Sequence, residues 1–155
     1  MRKPNEERDQ LMGYVLKQTQ ANLRGAMDQR LRQHGLSVAQ YACLELLDER
    51  PELSNAELAR GAFVTRQAMN TVLRGLLDAG LVERPATAQF GRARPARLSP
   101  EGHELLARAR EDIMDLERRM TATLSPQRRE ELLKGLKEMA RNLDAARERE
   151  PDVGE

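Results

Sequence analysis

Thr65-Arg66-Gln67-Ala68-Met69-Asn70-Thr71-Val72-Leu73-Arg74-Gly75-Leu76-Leu77-Asp78-Ala79-Gly80 is the stretch on which the reading turns. Met69, Val72, Leu73, Leu76 and Leu77 recur at three and four, the spacing of one apolar stripe on an α-helix. Thr65 is a natural N-cap, and Gly80 a natural residue just past the C-terminus. The other face carries Arg66, Gln67, Asn70, Thr71 and Arg74, with no acid before Asp78. Those side-chain types bond to phosphates and to base edges in a DNA major groove. Taken alone, the face is equally that of a plain surface helix, so the neighbouring residues decide.

Upstream, Ser54-Asn55-Ala56-Glu57 reads as a capping box, and Leu58, Ala59 and Ala62 supply an apolar face. Only Ala62-Phe63-Val64 separates this short helix from the next. So tight a connection suits a helix-turn-helix whose second helix enters a groove. Downstream, Leu81–Pro85 and Ala96–Ser99 read as two short strands joined by an arginine-bearing tip that contains Gly91. Pro85 and Pro95 cannot donate to a ladder, which keeps the hairpin small. Helix, turn, helix and hairpin make a winged helix. Arg92 and Arg94 at the tip are expected to reach the adjacent minor groove or its phosphates.

The run from Leu53 to Pro85, the arginine wing and the segment Ala96-Arg97-Leu98-Ser99-Pro100-Glu101-Gly102-His103-Glu104-Leu105-Leu106 together resemble the MarR family of bacterial transcription regulators. With its flanking helices the resemblance covers roughly residues 8–146. It implies a homodimer whose outer helices interlock at a two-fold axis, bound to a pseudo-palindromic double-stranded DNA operator. It also implies a small-molecule pocket between the dimer helices and the reader, for an amphipathic or aromatic effector, with Met12, Leu16, Tyr41 and Leu44 as candidate lining. One departure stands out. The family often carries Asp-x-Arg near the wing tip, and here Phe90 takes the place of the acid, with Arg92 in the arginine position.

The 155 residues are one domain's worth of chain, 33% charged and 3% aromatic, with no Trp. Leu, Ala, Arg and Glu dominate, which favours helices. The net charge is only +1, but seven arginines face three acids between Leu53 and Leu98, a local excess of +4. A basic face on a nearly neutral protein is the footprint of a DNA binder. No apolar run is long enough for a membrane span and no signal-peptide core follows Met1, so the expected location is cytoplasmic. One Cys excludes an internal disulfide. Cys43 has no basic neighbour to activate it and reads as a buried, inert thiol. His34 and His103 lack partners at ligand spacing, so no metal is expected. His34 suits a helix C-terminus, and His103 is expected to face solvent. No nucleophile elbow, phosphate loop or HExxH is present, so neither an enzyme nor a cofactor is expected.

The fold class expected is mainly α with a small β-hairpin wing. Residues 1–155 form a single domain, with a winged helix-turn-helix over about 37–99. Helices over about 8–34 and 100–146 are expected to dimerise. Gly35 stops the first helix, and Ser37-Val38-Ala39-Gln40 opens the second with another capping box. Ser99-Pro100 and Ser125-Pro126 open the last two. Leu106, Ala109, Ile113, Leu116 and Met120 alternate three and four apart, a coiled-coil-like seam. The tail from Arg147 reads as charged and unstructured. The function expected is a homodimeric repressor. The alternative is a winged-helix protein-interaction module that does not bind DNA.

Overall fold

The computed structural model describes residues 8–84 and 95–149. The chain divides into two compact units, Met1–Leu116 and Glu117–Glu155. The first holds α1 (Met12–Arg32), α2 (Val38–Glu49), α3 (Asn55–Gly61), α4 (Arg66–Asp78), β1 (Val82–Glu83) and β2 (Arg97–Leu98). It ends within α5 (Pro100–Met120).

Local chemistry sets the helix starts. Ser37 with Gln40, and Ser54 with Glu57, form full capping boxes in which each side chain bonds the other's backbone N–H. Thr65 caps α4 by accepting from the Ala68 N–H at 3.1 Å. The helix stops share one pattern. After α1, the Leu36 N–H returns to the Leu31 carbonyl and the Gly35 N–H to that of Arg32. After α4, Leu81 returns to Leu76 and Gly80 to Leu77. After α3, Val64 returns to Ala59 and Phe63 to Arg60. Each is the paired closure that places one residue in the left-handed region. Gly35 (φ +69°) and Gly80 (φ +70°) fill that place in two of them, and Phe63 (φ +57°) fills it in the third.

Every helix of this unit contributes to one core. Leu31 comes from α1, Leu44 and Leu47 from α2, Leu58 from α3, Met69 and Leu76 from α4, and Leu106 from α5. Val82 and Leu98, paired across the antiparallel strands, close it on the wing side. Each fully buried Leu or Met here contributes about 1.5–3 kcal/mol. The apolar seam on α5 therefore begins inside one chain: Leu106 and Ala109 are buried there, and Ile113 packs against them. Ser99 fastens the wing base to α5. Its hydroxyl donates to the Gly80 carbonyl at 2.6 Å and accepts from the Gly102 N–H at 3.0 Å.

The second unit contains the end of α5, a turn and α6 (Pro126–Arg149). Ser125 starts α6, its hydroxyl accepting from the Arg128 N–H at 3.3 Å. The helix continues through Arg147 to Arg149, beyond the end expected from sequence. Its last turns are Ala, Arg and Glu, all good helix formers, so charge alone does not end it.

Candidate nucleic-acid interface

α4 separates its two faces cleanly. Met69, Leu73 and Leu76 are buried, while Arg66, Gln67, Asn70, Thr71 and Arg74 are all exposed. Asn70 and Arg74 are one turn apart and project to the same side. Arg66 and Arg74 have no ion-pair partner among the described residues, and the first turn of α4 contains no acid. That leaves the helix N-terminus, with its unpaired N–H groups and positive dipole end, open to an anion. α3 braces this start, because the Asn55 side-chain amide donates to the Arg66 carbonyl at 3.2 Å. At the wing base, Arg97 donates to Glu83 across the strands at 2.9 Å, so this arginine is already paired.

A cleft of about 190 Å³ lies between α1, the start of α2 and the turn before α4. Leu23, Arg24 and Met27 line it from one face of α1, Val38 from the start of α2, and Phe63 and Val64 from the turn before α4. Its wall is mostly apolar, with one cation. Arg24 is exposed and has no ion-pair partner among the described residues. Phe63 is 95% exposed.

Residues 34–93 match the MarR family. HTH-type transcriptional repressor Rv2887 of Mycobacterium tuberculosis is 46% identical over 123 residues, which span 79% of this chain and 88% of that relative. The chain belongs to the MarR family. Two solved structures of MarR family protein Rv2887 extend the likeness to the backbone. Its complex with p-aminosalicylic acid has a TM-score of 0.71 at 40% identity, covering 84% of this chain and 98% of that one. Its complex with DNA has a TM-score of 0.69 at 39% identity, covering 83% and 97%.

Five of the seven residues expected to meet DNA thus share one exposed face of this MarR chain. Arg92 and Arg94 lie outside the described residues, as does Phe90. The four residues suggested for an effector pocket are not brought together. Tyr41 and Leu44 are buried in the core, whereas Met12 and Leu16 are 67% and 40% exposed near the other end of α1 from the core residue Leu31. None of the four lines the cleft between α1, α2 and the turn before α4. The reason is geometric: α1 meets α2 and the turn through its later residues, and Met12 is about 16 Å further along the helix than Leu23 at 1.5 Å per residue. Arg24 and Phe63, which do line the cleft, are not among the residues singled out from the sequence. For Phe63 a usable signal existed, a bulky residue in a turn too short for anything but a left-handed helix stop.

The Cys and the two His residues have structural places outside the α4 face. Burial pushes the Cys43 thiol up to about 12, which leaves it protonated and unreactive. His34 lies 2.6 Å from Asp112 of α5 and not merely at the end of its own helix. His103 is exposed as expected, and pairs with Asp48 at 3.2 Å.

Proposed function

We propose that this MarR protein is a sequence-specific DNA-binding repressor, a homodimer released from its operator by a small aromatic acid. The observation that carries the reading is the exposed face of α4, with Gln67, Asn70 and Arg74 presented for base edges and Arg66 and Thr71 beside them for bases or phosphates. The crystallised relative Rv2887 bound to DNA supports it. Arg92 and Arg94 extend the reader toward the neighbouring minor groove. The reaction is binding alone, with no catalytic step and no resident cofactor. Its place is the cytoplasm, where the operator is. No described helix is long and apolar enough to cross a membrane.

The cleft suits the effector. Apolar walls accept a ring, and Arg24 offers a charge to a carboxylate. The same relative solved with p-aminosalicylic acid supports that chemical class.

Selection of bound sequences from random double-stranded DNA tests the reading, and recovery of a two-fold symmetric site is expected. On that site, Asn70→Ala or Arg74→Ala should cost about 1–3 kcal/mol and relax preference at one base pair per half-site. Equal loss on every sequence would mark both as phosphate contacts and remove the claim of direct readout. Failure to enrich any sequence would favour a protein-interaction module.

A further inference from the structure

Three helices of the first unit end with the same pair of returning hydrogen bonds, and each closure needs one residue with positive φ. Glycine takes that conformation without a steric penalty and does so at Gly35 and Gly80. The closure between α3 and α4 uses Phe63 instead, a bulky side chain in a conformation that disfavours it. The residue gains no burial in return, being 95% exposed. Phe63 is one of the residues that line the cleft, together with Leu23 and Arg24 of α1. In sequence it stands two residues before Thr65, the cap of the reader helix.

We infer that Phe63 is the residue through which an occupant of the cleft acts on the reader helix. The inference rests on the regulated reading above and names the route of that regulation. An aromatic carboxylate anion held by Arg24 would lay its ring against Phe63, burying two apolar faces that are otherwise wet. The contact favours whichever turn conformation packs best on the occupant. A change at Phe63 passes into both neighbours of the turn. The Val64 N–H holds the end of α3, and Thr65 holds the start of α4. Asn55 ties that start back to α3 through the Arg66 carbonyl. A shift of the turn therefore alters how α4 sits on α3, with no contact between the occupant and Arg66 or Asn70. Phe63 is a positioning residue in this scheme, and its conformational cost makes the free turn easy to shift.

The test uses the full chain, its selected operator and salicylate as probe. Phe63→Gly and Phe63→Asn both tolerate positive φ and remove the ring. Operator affinity is measured with and without saturating salicylate, and salicylate affinity is measured on free and DNA-bound protein. For the unsubstituted protein, salicylate should weaken operator binding by a factor in the range of about 5 to 150, and DNA should weaken salicylate by the same factor. Both variants should bind the operator within about twofold of the unsubstituted protein, melt no lower, and lose the coupling, its factor falling toward one. Coupling that survives in the variants at saturation overturns the inference, even if salicylate then binds more weakly, because Phe63 is then only a wall of the cleft. A large fall in melting temperature, or in the mass of the assembly, overturns it in favour of a fold or interface role. No effect of salicylate on operator binding by the unsubstituted protein overturns the regulated reading itself, and the inference with it.

Discussion

Gly102 shows how one missing methyl can hold two elements together. It sits in the first turn of α5, buried, directly against the Leu81 carbonyl at the wing base. A Cβ there would run into that carbonyl oxygen and the atoms behind it, which are backbone and cannot rotate away. The same contact region holds the Ser99 bonds to Gly80 and Gly102. Gly102→Ala should therefore destabilise the chain by at least about 1–3 kcal/mol, as overpacking does, despite the better helix propensity of alanine. Gly13→Ala is the control, since nothing lies within 4 Å of its added Cβ. That change should be neutral or slightly stabilising in a urea melt. If both glycines respond alike, close packing at Gly102 is not what matters.

At the scale of elements, α5 is fastened to α2 by a polar clasp. Arg110 donates to both carboxylate oxygens of Glu45, at 3.0 and 2.7 Å, and to Asp48 at 2.8 Å. The Tyr41 hydroxyl donates to Glu45 at 2.5 Å. Burial pulls the Glu45 carboxyl up, but the bonds from Arg110 and Tyr41 outweigh it and hold it below the ordinary carboxylate range. A carboxyl whose folded pKa lies below its unfolded value stabilises the fold above the unfolded pKa, about 4.3 for Glu, and that stability fades as pH falls through the folded value. The groups are about a third exposed, so solvent screens them and the clasp is worth roughly 1–2 kcal/mol. Arg110→Met should lose that amount at pH 7. The difference from the unsubstituted protein should shrink as pH falls from about 4.3, the unfolded Glu value, through the lowered value of Glu45. Urea midpoints at pH 7 and pH 3 give the comparison, and a gap of constant size would mean Arg110 acts by packing alone.

At the scale of the whole molecule, the apolar side chains outside the core call for a second copy. Leu11, Met12, Tyr14, Val15 and Leu16 are exposed on and beside the start of α1, as are Leu132, Leu133, Leu136 and Leu143 on α6. Leaving that many large apolar groups wet is costly by roughly 25 cal/mol per Å² of apolar surface. A two-fold operator also asks for a two-fold protein. Light scattering at micromolar concentration should give the mass of two chains. Leu132→Glu with Leu136→Glu, one helical turn apart, should shift that mass toward one chain and weaken operator binding. The reader core has no residue from α6, so its helices should survive the change. A single-chain mass for the unsubstituted protein would remove the homodimer. Deleting α1 would not decide the matter, because Leu31 and Met27 belong to the core of one chain.

What the sequence determined by itself was local. Ser37, Ser54, Thr65 and Ser125 announce helix starts because a cap bonds to backbone only two or three residues away. Gly35 and Gly80 announce stops because a positive φ is a property of one residue. The two faces of α4 follow from a period of 3.6, so the proposed DNA-facing residues of that helix were legible before any fold was known. What only the tertiary structure decided depends on elements distant in sequence. The α5 seam is divided between the core, which takes Leu106 and Ala109, and the residues beyond it, because α5 packs on α2 through Arg110. Tyr41 and Leu44 are core and Arg24 is cleft because α1 meets α2 and the turn before α4 through its later turns. Periodicity gives the angle of a side chain around its own helix, but which neighbour meets that side chain is fixed only when the helices cross.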